Sequence, residues 1–206
     1  MQDIFEVNVF GPIRVTQAIL PYFRSQGHGS IGFIGAGVAW APIPFLVHYS
    51  AAKSALDRFA EGLHKEARIQ GIQCTIFEPG GFASRLGHPR DGSDEGFGKY
   101  QPAIPEYSGL FTDTMGAFAR GIVPNIPGDV AKLANTIVDL IGSEGSAKKL
   151  PVRVVLGSDA LALVKQKCKE QLDLVEEFKE VSLRTDKDDA GKCSHEVMLR
   201  LTSILS

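Results

Sequence analysis

The stretch HYSAAK, residues 48–53, begins a predicted helix that continues to Gln70. Tyr49 and Lys53 are four positions apart, so a helix presents both side chains on the same face, one turn from each other. An ammonium beside a phenol stabilises the phenolate, and we expect Lys53 to lower the pKa of Tyr49 from its ordinary value of about 10. Such a phenol can donate or accept a proton near neutral pH. The same pattern also fits an amphipathic helix with an exposed lysine and a half-buried tyrosine, so its surroundings must decide between the two interpretations.

Short apolar stretches on both sides of this helix predict strands that alternate with segments of helical periodicity. This alternation predicts an α/β fold in which right-handed crossovers join parallel strands. We therefore expect one domain, residues 1–206, with a parallel sheet of about three strands flanked by helices. The predicted strands are residues 30–35, 72–77 and 151–156, and the predicted helices are residues 2–24, 47–70, 129–142 and 158–181.

In such sheets, ligands bind at the carboxyl ends of the strands. This rule places the turns Gly35–Ala36 and Pro79–Gly81 at one rim, with Tyr49 beside them. Residues 82–126 show weak periodicity and many aromatic side chains, which favours a lid over an apolar ligand. The alternative is that these aromatic side chains only pack against the domain surface. Residues 184–206 are predicted to form a C-terminal tail.

The composition argues against several classes of protein. The chain is 44% hydrophobic and 22% charged with a net charge of −2, and its dispersed basic residues indicate no nucleic-acid partner. Without a long apolar stretch or a signal-peptide pattern, we expect no membrane association and a soluble, cytoplasmic protein. The cysteines fit a reducing compartment, and neither they nor the histidines have metal-ligand spacing, so we expect no metal. These residues are Cys74, Cys168 and Cys193, and His28, His48, His64, His88 and His195.

Several segments together resemble the short-chain dehydrogenase/reductase family. FEVNVFG, residues 5–11, resembles the helix that carries the family's active-site asparagine, and Asn8 is the matching position. GSIGFIGA, residues 29–36, resembles the strand and loop that deliver the catalytic serine, while Tyr49 and Lys53 match the catalytic tyrosine and lysine. The resemblance implies a partial Rossmann-like, doubly wound fold.

Two later segments extend the resemblance. PGGF, residues 79–82, resembles the segment that flanks the nicotinamide, and RVVLGSDA, residues 153–160, resembles the last strand and its turn. If a dinucleotide is bound, the resemblance implies that it contacts Lys53, Pro79, Gly80, Phe82 and Ser84.

Two departures from the family pattern stand beside these matches. The family's serine precedes the tyrosine by thirteen residues, a position held here by Ala36, and no serine or threonine lies between Ile31 and His48. The hydroxyl that would stabilise charge on a substrate oxygen is therefore absent. The sequence from Met1 also matches the family only from its asparagine helix onward, without the glycine-rich turn that holds a pyrophosphate. We therefore interpret the chain as an N-terminally truncated member whose first strand exposes an unpaired edge.

Three functional hypotheses follow, of which the first is preferred. It is an enzyme without hydride transfer and without a cofactor, acting by acid–base chemistry on an apolar carbonyl-containing small molecule. Tyr49 would be the general acid or base, with Lys53 tuning its pKa, and His48 or Asn8 would help to hold the substrate. Isomerisation, dehydration and cyclisation all fit this description.

The second hypothesis is an NAD- or NADP-dependent oxidoreductase represented by a truncated sequence, in which Asn8, Tyr49 and Lys53 keep the family roles. The third is a non-catalytic binding or dimerisation module. The predicted helices at residues 2–24 and 47–70 resemble those that pair subunits in this family, so we expect a homodimer through them.

Overall fold

The computed structural model describes residues 1–83, 101–142, 150–187 and 193–203. Within these ranges, three parallel strands form one sheet in the order β1-β2-β3. The predicted fold class, strand number and strand direction are confirmed. The strands are β1 (Gly29–Ile34), β2 (Ile72–Pro79) and β3 (Arg153–Leu156).

Helices flank this sheet as predicted, and α3 is the longest of them, with 21 residues. It continues into a 3-10 turn at Arg68–Gln70, so the helix predicted over residues 47–70 is confirmed. The α-helices are α1 (Gln2–Phe5), α2 (Gly11–Gln26), α3 (Val47–Ala67), α4 (Ser108–Ala117), α5 (Val130–Gly142), α6 (Ser158–Glu177), α7 (Lys179–Leu183) and α8 (Cys193–Ser203).

β2 is the central and most deeply buried strand. The side chains of Ile72, Cys74, Ile76 and Phe77 are all 0% exposed. A strand that is covered on both faces is typical of a parallel sheet with helices on its two sides, which explains the near-continuous apolar sequence of β2. Each fully buried apolar side chain of this size stabilises the fold by about 1.5–3 kcal/mol.

α3 packs against β2 through a stripe of apolar and small side chains. Ala52, Leu56 and Ala60 recur every four residues, and each is at most 2% exposed. This spacing places them on one face of the helix, and the two alanines let the helix axis approach the sheet closely. The packing therefore sets the position of α3, and with it the positions of Tyr49 and Lys53.

The helix predicted over residues 2–24 is interrupted near Gly11 and Pro12. Gly11 and Pro12 break the pattern of the predicted helix, and a π-helical turn, Glu6–Phe10, lies immediately before them. Proline has no N–H to donate to a carbonyl one turn earlier, which favours a wider turn at this point. The helix ends at Gln26, where Gly27 adopts a φ of 72° as a left-handed cap.

Part of the predicted lid segment is helical. The described residues 101–126 contain α4, followed by a π-helical turn and a 3-10 turn. The periodicity of this helix is weak in the sequence because Gly109 and Gly116 lie inside α4. The role of the segment as a lid stays a prediction. Residues 84–100 of the predicted lid lie outside the described residues. Among the described residues of the predicted tail, those from 193 to 203 form α8.

Among the described residues, β1 pairs only with β2, so the other edge of β1 is unpaired, as predicted. Ile34, at the end of β1, is 48% exposed. The described helices include none with the length and apolar character needed to cross a bilayer. No cluster of three potential metal ligands occurs in the described ranges either. The single-domain organisation stays a prediction.

Candidate active site

The end of β1 and the start of α3 bring Lys53 and Tyr49 together. The Nζ atom of Lys53 donates a 2.8 Å hydrogen bond to the main-chain oxygen of Ile34. The same atom lies 5.7 Å from the centre of the Tyr49 ring. Lys53 is only 9% exposed, so its ammonium is anchored to the sheet. An ammonium has three N–H donors, and Ile34 uses one of them.

Burial dominates the pKa of Tyr49. The residue is half-buried, and the loss of water around its phenolate raises its pKa. The prediction that Lys53 lowers this pKa is wrong, because the ammonium lies over the ring and donates to Ile34. Burial also lowers the pKa of Lys53, and the nearby carboxylate of Asp57 opposes that effect.

Asn8 and His48 differ in their surroundings. The side-chain amide of Asn8 donates a 2.9 Å hydrogen bond to the main-chain oxygen of Ile4, within its own helix. The π-helical turn that carries Asn8 packs against α3. His48 is exposed in the first turn of α3, and adjacent helical residues project in different directions, so it does not share a face with Tyr49. Their roles in holding a substrate stay predictions.

The loop after β1 lacks a hydroxyl at the position of the family's serine. Ala36 stands there with an extended backbone and is 7% exposed. The chain then forms a 3-10 turn, Gly37–Ala39, and the hydroxyl of Ser54 on α3 donates a 2.8 Å hydrogen bond to the oxygen of Ala39. The loop is therefore held against α3, but the side chain of Ala36 has no donor for a developing oxyanion.

The turn after β2 is held by a carboxylate at the start of α6. The N–H of Gly81 donates a 2.6 Å hydrogen bond to Oδ2 of Asp159. A Cβ atom at Gly80 would overlap the same carboxylate, so a larger residue there would displace the side chain of Asp159. Phe82 forms an isolated parallel bridge with Gly128. This bridge brings the start of the predicted lid segment close to the residues that follow its end, beside this turn.

An aromatic group joins the loop before α3 to the described part of the predicted lid. The ring of Phe45 makes edge contacts with Phe111 and Tyr107, at centroid distances of 5.2 Å and 6.5 Å. Among the described residues, Phe45 is the only non-glycine with a positive φ, 66°. This conformation costs about 1–2 kcal/mol, which the ring contacts help to offset. Phe45 and Tyr107 remain partly exposed, so the group forms an apolar surface beside the start of α3.

A cluster of charged side chains joins α3, β2 and β3. Nε of Arg153 donates a 2.6 Å hydrogen bond to Glu61, and its NH1 lies 3.2 Å from Oδ2 of Asp57. The same NH1 contacts Oε1 of Glu78. The indole of Trp40 donates a 2.8 Å hydrogen bond to that Glu78 oxygen. The guanidinium of Arg153 lies 5.0 Å from the centre of the Trp40 ring.

The sequence holds only weak signals for this cluster. Asp57 and Glu61 follow Lys53 at intervals of four, so the three side chains share a face of α3. Glu78 ends an otherwise apolar strand. Both features are also common on solvated surfaces, and Arg153 is 96 residues from Asp57 in the chain. Their convergence is visible only once β2 and β3 are paired.

The described residues fit one end of a nicotinamide dinucleotide. Two N–H donors of Lys53 and the hydroxyl of Tyr49 make no hydrogen bond to a described residue, so they are available to ribose hydroxyl groups. The segment of residues 79–82 lies at the same rim. The turn that opens α6 carries Asp159, whose carboxylate repels a pyrophosphate. Ser84 lies outside the described residues. The chain therefore fits the ribose and nicotinamide, and its described part shows no cradle for the pyrophosphate.

Comparison with known proteins places these features in a family. The family model described as short chain dehydrogenase matches residues 1–94. Oxidoreductase BOA17 from Botryotinia fuckeliana is 30% identical over 159 residues, which are 76% of this chain and 53% of that protein. Retinol dehydrogenase 8 from Bos taurus is 29% identical over 153 residues, 69% of this chain and 46% of that protein.

A solved structure, a short-chain dehydrogenase from Streptomyces avermitilis, matches the fold of this chain with a TM-score of 0.71 and 32% identity. The match covers 90% of this chain and 62% of that structure. The chain spans about half the length of the two sequence relatives. Motifs, sheet topology and relatives agree, and the chain belongs to the short-chain dehydrogenase/reductase family.

Proposed function

We propose that this chain forms the substrate-side half of an NAD- or NADP-dependent oxidoreductase that acts on an apolar carbonyl compound or the corresponding alcohol. The observation that carries the proposal is the anchoring of Lys53 by the Ile34 carbonyl beside Tyr49, at the carboxyl rim of a parallel sheet. The dinucleotide, when bound, supplies or accepts the hydride.

Tyr49 moves the proton that accompanies the hydride. Burial raises the pKa of its phenol, so the hydroxyl stays protonated at neutral pH. A protonated phenol is a donor to a carbonyl oxygen, and it thus suits the direction of carbonyl reduction. The free N–H donors of Lys53 orient the ribose, while its bond to Ile34 keeps the ammonium in place.

The alanine at position 36 is expected to lower the rate of turnover. A hydrogen-bond donor aimed at a developing oxyanion typically contributes about 10²–10³-fold in kcat. Ala36 offers no such donor, so Tyr49 is the remaining proton donor to the substrate oxygen. We therefore expect slower turnover than in relatives that keep the serine.

The substrate class is inferred from the aromatic group and from one relative. Phe45, Tyr107 and Phe111 give the rim a partly exposed apolar wall. Binding sites for apolar ligands are lined in this way, with few polar groups. Retinol dehydrogenase 8, whose name states a large apolar alcohol, is among the relatives. We propose a bulky apolar aldehyde, ketone or alcohol as the substrate.

The cofactor-independent hypothesis loses its main physical support. It required Lys53 to lower the pKa of Tyr49, whereas burial raises that pKa. The relatives reported above are named oxidoreductase or dehydrogenase. We therefore prefer the second of the three original hypotheses, and the experiment below separates it from the first.

The test measures consumption of NADPH and NADH with apolar aldehydes and ketones, including retinal. The protein is the 206-residue chain and, in parallel, any longer polypeptide that the genomic reading frame around Met1 encodes. Tyr49→Phe should lower turnover by at least about 100-fold, the usual contribution of a general acid. Tyr22→Phe, at an exposed position on α2, is the matched control and should leave turnover unchanged.

Two outcomes would refute the proposal. One is conversion of a carbonyl substrate without any dinucleotide, abolished by Tyr49→Phe, which would restore the cofactor-independent hypothesis. The other is dinucleotide-dependent turnover that Tyr49→Phe leaves unchanged, which would show that Tyr49 does not transfer the proton.

A further inference from the structure

Three acidic side chains converge on one guanidinium in the interior of the fold. We define the acid cluster as Asp57, Glu61 and Glu78 with Arg153. The side chain of Asp57 is 3% exposed and that of Glu78 is 0% exposed, whereas Glu61 is 24% exposed. The two buried carboxylates approach the same NH1 atom of Arg153. Glu61 instead takes the separate Nε donor.

The charges in this cluster do not balance. Arg153 offers one positive charge to three carboxylates, and Glu61 already accepts a second cation, Arg58, at 2.6 Å. Oδ1 of Asp57 and Oε2 of Glu78 are buried without a hydrogen-bond partner among the described residues. Two carboxylates that share a dry site and one guanidinium nitrogen cannot both ionise cheaply.

We propose that Asp57 and Glu78 hold one exchangeable proton between them, and that this shared proton stabilises the positions of Gly35 and Trp40 in the loop after β1. Burial, together with the negative charge of Glu78, raises the pKa of Asp57 to about 7 against the opposing effect of Arg153. The pair therefore changes its charge near neutral pH. This inference is independent of the proposed function, because it concerns only these two carboxyl groups.

The pair contacts the active-site loop directly. A Cβ atom at Gly35 would lie 2.7 Å from Oδ1 of Asp57, so the backbone of Gly35 packs onto the carboxyl group. The preceding residue, Ile34, accepts the hydrogen bond from Lys53. On the other side, Trp40 donates to Glu78. A second negative charge would therefore appear beside both ends of the loop that contains Ala36.

The charged groups around the pair come from three elements. From α3 these are Lys53 and Glu61, with Arg58 beyond Glu61, and from β3 it is Arg153. Glu78 itself belongs to β2. Residues 29–46, which include β1 and the loop after it, contain no acidic or basic side chain. Lys53 and Arg153 favour the ionised pair, while burial and the missing partners disfavour it.

The first measurement needs no variant. Carboxyl-carbon NMR of the wild-type chain, labelled at Asp and Glu, should show one carboxyl that titrates near pH 7. Observing the carboxyl carbons distinguishes this titration from that of the histidine side chains, whose ordinary pKa of about 6.5 lies in the same range. If every Asp and Glu carboxyl titrates below about pH 5.5, within the ordinary range, the inference is overturned.

The second measurement uses Trp40, the only tryptophan in the chain. Its emission should change near pH 7, because its N–H donates to one member of the pair. Asp57→Asn and Glu78→Gln should each abolish the change, and Glu61→Gln, the matched control on the open side of Arg153, should retain it. A transition that survives in both buried variants overturns the inference, and the NMR titration decides the matter if those variants do not fold.

Discussion

The ammonium of Lys53 and the main-chain oxygen of Ile34 are joined by a 2.8 Å hydrogen bond that ties α3 to the end of β1. This bond fixes a charged side chain beside Tyr49 and leaves two of its donors unused by the described residues. It also means that the lysine has a structural role in addition to any role in binding.

Lys53→Met should destabilise the fold. The substitution removes a part-buried hydrogen bond from a charged donor to the Ile34 oxygen, and such a bond contributes about 1.5–3 kcal/mol. Urea unfolding measures this loss. Lys65→Met is the matched control, because Lys65 lies on the same helix and also donates to a main-chain oxygen, that of Thr202, but at an exposed site. The control should change stability by less than about 0.5 kcal/mol, and equal losses in the two variants would contradict the prediction.

Ala36→Ser should raise the turnover of a carbonyl substrate. The new hydroxyl would stand at the position of the family's serine and donate to the substrate oxygen, and we expect a gain of at least about tenfold in kcat. Ala39→Ser, in the same loop, is the control and should give no gain. Steady-state kinetics with the best substrate from the panel measures both, and an unchanged kcat in Ala36→Ser would show that a missing hydroxyl does not limit the rate.

Stability should fall as the pH rises towards neutrality, because of Asp57. Its pKa is about 7 in the folded chain against an ordinary value of 3.8, so the folded state binds the proton more tightly. The stabilisation is complete below about pH 4 and is lost as the pH rises through about 7. One pKa unit corresponds to about 1.4 kcal/mol, so a fall of a few kcal/mol is expected across this window.

Urea unfolding of wild type and Asp57→Asn between pH 5 and pH 8 checks this dependence, because the amide cannot titrate. The difference in unfolding free energy between the two proteins should change with pH in this interval. A difference that stays constant would show that Asp57 has an ordinary pKa.

Phe111→Ala should weaken the binding of bulky substrates. The substitution removes the edge contact with Phe45 and part of the apolar wall, and an aromatic pair contributes about 0.5–1.5 kcal/mol beyond its buried area. KM should rise several-fold for retinal and change little for a small aldehyde. Phe178→Ala, an exposed phenylalanine next to α7, is the control. Equal effects on the KM of large and small substrates would show that the aromatic group does not select the substrate.

The chain should form a homodimer through the helical residues 2–24, which include α2, and through α3. Val7 and Val15 on the first helical stretch and Val47 on α3 are each more than half exposed, so these helices offer apolar side chains to a partner surface. Val15→Glu should yield monomers in light scattering. Val175→Glu, on α6, is the control and should not change the mass. A wild-type monomer at micromolar concentration would contradict the prediction.

Much of the fold follows from local patterns in the sequence. Three apolar strands, the interruption at Gly11 and the long helix after His48 were predictable, because each depends on periodicity or on residues with restricted backbones. α4 was not predictable in this way, since its glycines weaken the helical pattern and its contact with Phe45 comes from the tertiary structure. The lack of a hydroxyl at Ala36 also follows from sequence alone, by counting back from Tyr49.

The order of elements and the spacing of Tyr49 and Lys53 were thus determined by the sequence, because helical and strand periods act over a few residues. The direction in which the pKa of Tyr49 shifts was decided by the tertiary structure, because it depends on how much water the packed chain leaves around the phenol. The same holds for the acid cluster. Asp57 and Arg153 lie 96 residues apart, and only the pairing of β2 with β3 brings their charges into contact inside the fold.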